Sequence, residues 1–176
     1  MKKIMIASLK SILLFTLLCG VLYTAAVTAV GQLLFPTQAN GSLMKKQETG
    51  KTSIIGSVLI GQPFTGANYL HGRPDQVSQL SPVSKEQQKR VEKRVQKADV
   101  KEVPIELVTA SASGVDPEIS IPGAMIQVER IAAARNMKNS EVRAIIKQNI
   151  TGLKIGPVDS QRVNVLGVNH TLDESE

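Results

Sequence analysis

The chain has 176 residues, of which 42% are hydrophobic, and its formal net charge at pH 7 is +6. Aromatic residues make up only 3%, and this argues against nucleic acid as a partner, because single-stranded nucleic acid is bound by stacking on aromatic side chains. The one cysteine, Cys19, lies in an apolar segment, so the polar part of the chain offers neither an internal disulfide nor a thiolate metal site. We predict no metal and no tightly bound cofactor.

The apolar segment is 11–35, SILLFTLLCGVLYTAAVTAVGQLLF, which contains neither a charged residue nor a proline. At about 1.5 Å per residue, a helix of this length crosses a hydrocarbon core of about 30 Å. The segment therefore predicts a single transmembrane helix. Lys2, Lys3 and Lys10 lie in the preceding residues 1–10, and basic flanks stay on the cytoplasmic side of a membrane. We expect a cytoplasmic N-terminus and an extracytoplasmic location for the rest of the chain.

A cleaved signal peptide is the alternative interpretation of this segment, because Val27, Thr28 and Ala29 would suit a signal peptidase. The hydrophobic region of a signal peptide spans about 7–15 residues, whereas this apolar run continues to Phe35. The sequence therefore favours a retained anchor in the cell membrane, with the lipid bilayer as its partner.

Small and hydroxyl-bearing side chains recur along one face of the predicted helix. They are Thr16, Gly20, Thr24, Thr28 and Gly31. Such a face lets a second membrane helix approach closely, and its hydroxyl groups can form hydrogen bonds across the contact. We interpret these residues as a transmembrane interface with a partner; the alternative is the ordinary tolerance of membrane helices for Gly and Thr.

The polar residues 36–53 predict a linker, and residues 54–176 predict a soluble extracytoplasmic α/β (α+β) domain. This domain opens with the β-rich run 54–62, which predicts a buried strand. Residues 69–74 follow as an ordered loop. There, His71 is predicted to form a structural hydrogen bond rather than to act as a catalytic base, because no second His or Cys lies near it in the sequence.

Three helices and a strand are predicted in the remainder of the domain. The helices are predicted over 84–98, over 120–135, and from 139 or 140 to an end at Gly152, Gly156 and Pro157. Ser84 and Ser120 are suitable caps for the first two, and Glu86 is expected to pair with Arg90 on the exposed first helix. The alternation of apolar and polar residues over 162–169 predicts a half-buried strand.

The most unusual stretch outside the membrane is 109–117, TASASGVDP. Its small and hydroxyl side chains permit close backbone approach and local bonds from side chain to backbone. We interpret it as an anion-binding nest or a contact surface, with a hydroxyl-rich turn packed between a strand and a helix as the alternative. A serine nucleophile is not predicted, since the sequence shows neither a Gly-x-Ser-x-Gly elbow nor a base partner.

Several motifs follow the basic N-terminus and single anchor in order. They are GSVLIGQ at 56–62, HGRP at 71–74, VTASASGVDP at 108–117, QVERIAAAR at 127–135 and RVNVL at 162–166. Together they resemble the family of C subunits of the bacterial Kdp potassium-transporting ATPase. Two positions depart from the family pattern: Glu118 stands where many relatives have His, and Glu106 where they have Asp. The resemblance marks as candidate interface residues His71, Gly72, Arg73, Thr109, Ser111, Ser113, Gly114, Asp116, Arg162 and Asn164.

The resemblance implies an accessory subunit, without catalytic residues of its own, in a high-affinity ATP-driven potassium uptake pump. The partners it implies are an ion-channel-like subunit, an ATP-hydrolysing subunit and a small membrane subunit. It also implies a role in assembly, and a role as a catalytic chaperone that raises the ATP affinity of the hydrolysing subunit.

Nucleotide contact by this chain would fall to Ser111, Ser113, Gly114 and Gln127, although an extracytoplasmic domain would meet little ATP. The competing class is a membrane-anchored extracytoplasmic enzyme of unknown substrate. Against it, the sequence offers no set of nucleophile, base and metal ligands.

Overall fold

The computed structural model describes two compact units, Met1–Leu43 and Met44–Glu176. The residues it describes are 1–48, 50–75, 77, 80–98, 102–155 and 158–175. Gly156 and Pro157, two of the residues predicted to end the third helix, lie outside the described residues.

The first unit is dominated by the helical segment Lys2–Leu34, which has 33 residues. It consists of α1 (Lys2–Phe15), a π-helical segment (Thr16–Tyr23) and α2 (Thr24–Leu34). By length and composition it can cross a membrane, as predicted for 11–35. The helix already begins at Lys2, so the basic residues of 1–10 belong to the same helical segment.

The helical segment ends at Leu34. The backbone of Phe35 is not helical, because the residue before a proline is sterically disfavoured in the α conformation. Proline itself suits a first helical turn, and Pro36 opens the short helix α3 (Pro36–Ala39). The side chains of Gln32 and Asn40 exchange hydrogen bonds of 3.0 and 3.3 Å across this bend.

The second unit contains short helices and strands in mixed order. Its strands are β1 (Leu43–Glu48), β2 (Lys51–Ser57), β3 (Glu118–Ile119), β4 (Ile150–Thr151), β5 (Lys154–Ile155), β6 (Val158–Asp159) and β7 (Arg162–Asn164). Its helices are α4 (Lys85–Ala98), α5 (Ile105–Val108), α6 (Ile121–Met125), α7 (Val128–Arg135), α8 (Asn139–Gln148) and α9 (Val165–Glu174). The predicted fold class, α/β (α+β) with one apolar N-terminal helix, is confirmed.

A three-stranded antiparallel sheet, ordered β3, β7, β4, contributes to the core of this unit. Val163 in β7 pairs with Ile119 on one side and Ile150 on the other. The buried core side chains are Leu70, Ile119, Ala124, Val128, Ile131, Ala132, Val142, Ile145, Ile146, Val163, Val165, Val168 and Leu172. Helices α7, α8 and α9 supply most of them because their apolar residues recur at helical spacing. The pairs β1 with β2 and β5 with β6 form separate two-stranded sheets.

The region 36–53, predicted as a linker, contains α3, β1 and the first residues of β2, and the boundary between the two compact units falls within it. Nearly all of the described residues in these strands are exposed or half-buried, so their composition is as polar as that of a loop. The strand predicted over 54–62 begins earlier, at Lys51, and ends at Ser57. There the Ser57 hydroxyl accepts a hydrogen bond from the Leu59 backbone N–H at 3.1 Å and closes a turn.

The prediction of a strand over 162–169 is wrong beyond Asn164. Asn164 Oδ1 accepts a hydrogen bond from Gly167 N at 2.8 Å, which caps a helix, and α9 begins at Val165. The first turns of α9 are buried on every side, and this burial hides the helical periodicity that would otherwise distinguish them from a strand.

The helix predicted over 120–135 is two helices, α6 and α7, separated at Ile126 and Gln127. Both predicted serine caps are confirmed: Ser120 accepts from Gly123 N at 3.1 Å, and Ser84 accepts from Gln87 N at 3.2 Å. Helix α8 begins as predicted but ends at Gln148, before the predicted Gly152.

Two smaller predictions agree with the structure. The ion pair between Glu86 and Arg90 is present at 3.0 Å. The alternative for 109–117, a turn between a strand and a helix, also agrees with the structure, because the segment connects the helix α5 to the strand β3.

Candidate functional site

Many of the residues singled out in 54–176 lie along two clefts of the second unit. The polar cleft, of about 390 Å³, is lined by Arg73, Glu106, Asp116, Glu118, Ser120 and Arg162 among others. The basic cleft, of about 410 Å³, is lined by His71, Gly72, Arg94, Lys97, Gln127 and Arg130 together with apolar side chains. The predicted residues therefore do not converge on one site.

Arg73 joins the loop that follows His71 to the segment 109–117. Its guanidinium forms an ion pair with Asp116 at 3.2 Å and donates to the carbonyl oxygens of Thr109 and Ala110 at 3.4 and 3.3 Å. The planar guanidinium carries several N–H donors, which lets one side chain hold three points of a loop. About a quarter of the Arg73 side chain is exposed (27%). The contact is therefore a partly solvated ion pair that connects the two loops.

Glu106, one of the two departures from the family pattern, accepts hydrogen bonds from both the hydroxyl and the backbone N–H of Ser120. Burial opposes ionisation of the Glu106 carboxyl, but the hydrogen bonds of Ser120, the Glu106 backbone amide and the charge of Arg73 outweigh it. Together they lower the pKa of Glu106 below its ordinary value. Glu106 is therefore an ionised carboxylate that ties α5 to the start of α6.

The serines of 109–117 bond within their own turn. Ser111 Oγ accepts from Gly114 N at 2.9 Å, and Ser113 Oγ accepts from Val115 N at 3.3 Å. Gly114 has a φ of +72°, and a Cβ at this position would lie 2.5 Å from Val77 Cγ2. The stretch is thus a hydroxyl-stabilised turn of the kind that needs glycine for its backbone.

Asp116 and Thr109 complete this turn from its two ends. Asp116 Oδ1 accepts from Glu118 N at 3.1 Å, while its Oδ2 takes the contact with Arg73. Thr109 Oγ1 donates to Ile105 O at 2.7 Å, one helical turn earlier. Both side chains therefore act locally on the backbone.

The two candidates on β7 have different surroundings. Asn164 is buried, caps α9, and donates through Nδ2 to Val58 O at 2.8 Å. Arg162 is exposed and donates to Gln161 O at 2.7 Å. Asn164 is thus a structural residue, whereas Arg162 lines the polar cleft.

Two amide side chains hold the backbone of Leu70 and His71. Asn169 Oδ1 accepts from Leu70 N at 2.7 Å and Asn169 Nδ2 donates to Leu70 O at 2.9 Å. Gln127 Oε1 accepts from His71 N at 2.9 Å, and its Nε2 donates to His71 O at 3.0 Å. Gln127 also donates to Gly123 O at 3.0 Å, so its amide is engaged at both ends inside the chain.

His71 forms the structural hydrogen bond predicted from the sequence, between its Nε2 and Gly66 O at 2.9 Å. Burial lowers the pKa of His71; the bond to Gly66 opposes this change, and the charge of Arg130 adds to it. The imidazole is therefore held neutral more readily than in water. Gly72, next in the chain, would place a Cβ 3.5 Å from Val165 Cγ2, an ordinary contact.

Arg130 and Arg135 fix the loop that precedes His71. Arg130 donates to Tyr69 O at 3.0 Å and to Gln127 Oε1 at 2.7 Å. The Arg135 side chain is 1% exposed, pairs with Asp173 at 2.7 Å and lies 5.0 Å from the centroid of the Tyr69 ring. Both lie in the QVERIAAAR motif. The motif does not predict that they hold this loop, because their partners in the loop lie more than 60 positions earlier in the sequence.

The four candidate nucleotide contacts do not line one cleft. Gln127 lines the basic cleft, whereas Ser111, Ser113 and Gly114 line neither of the two described above. Within the part of the chain that the structure describes, no three His, Cys, Asp or Glu side chains are grouped so as to hold a metal ion.

The candidate membrane interface lies on the first unit. Thr16, Gly20, Thr24 and Thr28 are exposed. The π-helical segment contains Thr16 and Gly20, so the regular helical spacing assumed for them holds only from Thr24 onward. A Cβ on Gly31 would contact Ala39 Cβ at 3.8 Å, so α3 already occupies that position.

Comparison with known proteins gives a consistent result over nearly the whole chain. The family model described as "KdpC: K+-transporting ATPase, c chain" matches residues 5–174. A potassium-transporting ATPase KdpC subunit of Methylibium petroleiphilum is 43% identical over 191 residues, covering 98% of both chains. The protein of that name in Bradyrhizobium diazoefficiens is 38% identical over 191 residues, covering 93% of both. That of Listeria monocytogenes is 43% identical over 171 residues, covering 92% of this chain and 90% of its own.

Proposed function

The chain belongs to the KdpC family, the c chains of K+-transporting ATPases, and we propose that it acts there as a non-catalytic subunit that assembles and stabilises the pump. Membership makes it a subunit of a potassium-transporting ATPase complex. The proposal concerns what this subunit contributes to a high-affinity, ATP-driven uptake system.

The observation that carries this proposal is the internal engagement of the motif side chains. Arg73 holds Asp116, Ser120 holds Glu106, and both ends of the Gln127 amide are bonded to backbone or to Arg130. A catalytic group needs a reactive atom that faces substrate and a base within hydrogen-bond reach. Side chains that brace loops are instead suited to presenting a fixed surface to other subunits.

The partners we propose are the ion-channel-like subunit, the ATP-hydrolysing subunit and the small membrane subunit. The apolar helix Lys2–Leu34 would place the chain among them in the membrane. The basic residues Lys2, Lys3 and Lys10 favour a cytoplasmic N-terminus, and hence an extracytoplasmic second unit.

This arrangement makes any effect on ATP affinity an indirect one. An extracytoplasmic second unit would alter the ATP-hydrolysing subunit through protein contacts rather than by binding ATP itself. The catalytic-chaperone role would then be a consequence of assembly, and the chain would need no bound cofactor.

Co-purification of the pump tests the proposal. The complex is isolated through a tag on the ATP-hydrolysing subunit, with and without this chain, and potassium-stimulated ATP hydrolysis is measured over a range of ATP concentrations. We expect loss of the stable complex without the chain, and no ATP hydrolysis by the isolated chain.

Two outcomes would contradict the proposal. A stable complex that forms without the chain and differs only in KM for ATP would assign it to nucleotide modulation instead of assembly. ATP hydrolysis by the purified chain, retained after further purification, would make it an enzyme.

A further inference from the structure

The basic cleft is lined by positively charged side chains from two helices. Arg94 and Lys97 come from α4, and Arg130 comes from α7. None of the described residues that line this cleft is an Asp or a Glu. A cleft lined by charge of one sign concentrates ions of the opposite sign, so this feature favours an anionic ligand.

The two arginines of the cleft contact neutral oxygens. Arg130 donates through one terminal nitrogen to the carbonyls of Gly66 and Ala67, and through the other to Tyr69 O and Gln127 Oε1. Arg94 donates to Val108 O at 3.0 Å. Both side chains are half-buried. Neutral oxygens orient a guanidinium without cancelling its charge, and a partly desolvated cation attracts an anion more strongly than an exposed one.

The rest of the cleft wall is apolar. Val103, Leu107 and Ile126 are half-buried and line it beside the cations. A compact, fully hydrated anion such as inorganic phosphate would gain nothing from this wall. A ligand whose anionic group adjoins hydrocarbon would contact both parts.

The outer face of α4 extends the positive charge beyond the cleft. Lys85, Lys89 and Lys93 are exposed on this helix. Basic side chains near an anionic membrane surface are attracted to it, and 85–98 is therefore suited to lie against such a surface.

We propose that the basic cleft binds the phosphate headgroup of an anionic phospholipid. Arg94 and Lys97 contact the phosphate, Arg130 adds positive charge to the cleft while it holds the loop before His71, and the glycerol carbons lie against the apolar wall. The cleft belongs to the second unit, which follows the apolar helix of the first unit along the chain. If that helix crosses a bilayer, lipid is present at a high effective concentration near the cleft. The inference goes beyond the proposed function, and its test involves no other pump subunit.

The test is calorimetric titration of the full chain in uncharged detergent. Four probes are compared. Two are lipids, dihexanoylphosphatidylglycerol and dihexanoylphosphatidylcholine, each used below its micellar concentration. The other two are inorganic phosphate and ATP. We expect saturable binding of the phosphatidylglycerol, and at least tenfold weaker binding of each of the other three.

Matched variants localise the site. Arg94→Gln with Lys97→Gln removes two charges from the cleft, and Lys89→Gln with Lys93→Gln removes two from the same helix outside it. We expect at least tenfold weaker binding for the first pair and less than threefold for the second. If the first pair fails to fold by circular dichroism, Lys97→Gln alone, on an exposed side chain, should still weaken binding about threefold.

Each opposing result overturns the proposal. Equal binding of inorganic phosphate would identify a free-anion site, and preferred binding of ATP would identify a nucleotide site. Equal weakening by both charge pairs would show attraction to the helix as a whole rather than a headgroup site. Equal binding of the phosphatidylcholine would show that the detergent-soluble lipid is held by its acyl chains alone.

Discussion

Asn169 satisfies both backbone polar groups of Leu70: its Oδ1 accepts from Leu70 N at 2.7 Å, and its Nδ2 donates to Leu70 O at 2.9 Å. Both residues are buried, at 1% and 0% exposure. Gln127 makes the same pair of contacts with His71, the next residue. Buried backbone groups need partners, and here two amide side chains supply what a neighbouring strand would supply in a sheet.

Replacement of Asn169 should therefore destabilise the second unit severely. Asn169→Leu keeps a similar volume but leaves the N–H and C=O of Leu70 unpaired in the core, at a cost of roughly 2–4 kcal/mol. Thermal or urea unfolding of the full chain in detergent, followed by circular dichroism, measures the change. Gln148→Leu, on an exposed position of α8, is the control and should change stability by less than about 0.5 kcal/mol. Equal stability of the two variants would contradict the structural role of Asn169.

Local signals account for what the sequence predicts correctly. The spacing of Val142, Ile145 and Ile146 defines α8, and Ser84 and Ser120 mark helix starts through bonds to residues three positions later. These features depend on neighbours along the chain. For the same reason the uncharged run predicts the apolar helix.

The parts that the sequence does not predict depend on distant partners. Asn169 forms hydrogen bonds with a residue 99 positions away in the sequence. Glu106 in α5 accepts a hydrogen bond from Ser120 at the start of α6, and neither residue carries a sequence signal for this contact. The motif at 162–166 is part of the resemblance to the family, but the continuous burial of residues 165–169 hides the helical period of α9. The order of the motifs is therefore enough to indicate the family. The hydrogen bonds that explain why the motif residues are there can be found only in the folded structure.

Gly114→Val should destabilise the turn of 109–117. The glycine has a φ of +72°, and an added Cβ would lie 2.5 Å from Val77 Cγ2. Strained backbone of this kind costs roughly 1–3 kcal/mol, and the steric contact adds to it. Loss of amide protection over 109–117, measured by hydrogen exchange on the full chain, would report it.

The serines of the same turn provide the comparison. Ser111→Ala and Ser113→Ala each remove one hydrogen bond to the backbone and the 3.4 Å contact between the two hydroxyls, for which about 1 kcal/mol is expected. In the assembled pump both variants should retain ATP hydrolysis. Loss of hydrolysis in a stable, assembled serine variant would indicate a direct chemical or nucleotide role for the turn.

His71 should make stability depend on pH. Burial and Arg130 lower its pKa below the ordinary 6.5 despite the bond to Gly66, so the folded state binds a proton less readily than the unfolded state. The contribution of His71 to the free energy of unfolding is therefore fully present above pH 6.5, and it is lost as the pH falls below that value. We expect the Tm of the full chain to fall between pH 7.5 and 5.5, and His71→Gln to reduce that fall. His170→Gln is the matched control; an equal or larger reduction in the control would contradict the assignment to His71.

Gly20→Leu should weaken assembly without preventing membrane insertion. Among the described side chains, the nearest to a Cβ built at Gly20 is Thr16, whose Cγ2 lies at 3.9 Å. Leucine therefore fits this chain but would block the close approach of a partner helix. Ala25→Leu adds comparable bulk beside the predicted interface and is the control. Co-purification with the other subunits from detergent measures the effect, and full recovery of Gly20→Leu would reject the interface.

The orientation of the second unit can be tested with one thiol, because Cys19 is the sole cysteine of the chain. Cys19→Ala provides the background, and Ser175→Cys places a thiol at an exposed position after α9. Intact cells are treated with a membrane-impermeant maleimide, with Ser8→Cys as the cytoplasmic control. The basic residues before the apolar run predict rapid labelling at 175 without lysis, and labelling at 8 only after lysis. Such a result would put the second unit out of reach of cytoplasmic ATP and leave assembly as its contribution. Labelling at 175 only after lysis would reverse the orientation and make direct contact with nucleotide feasible.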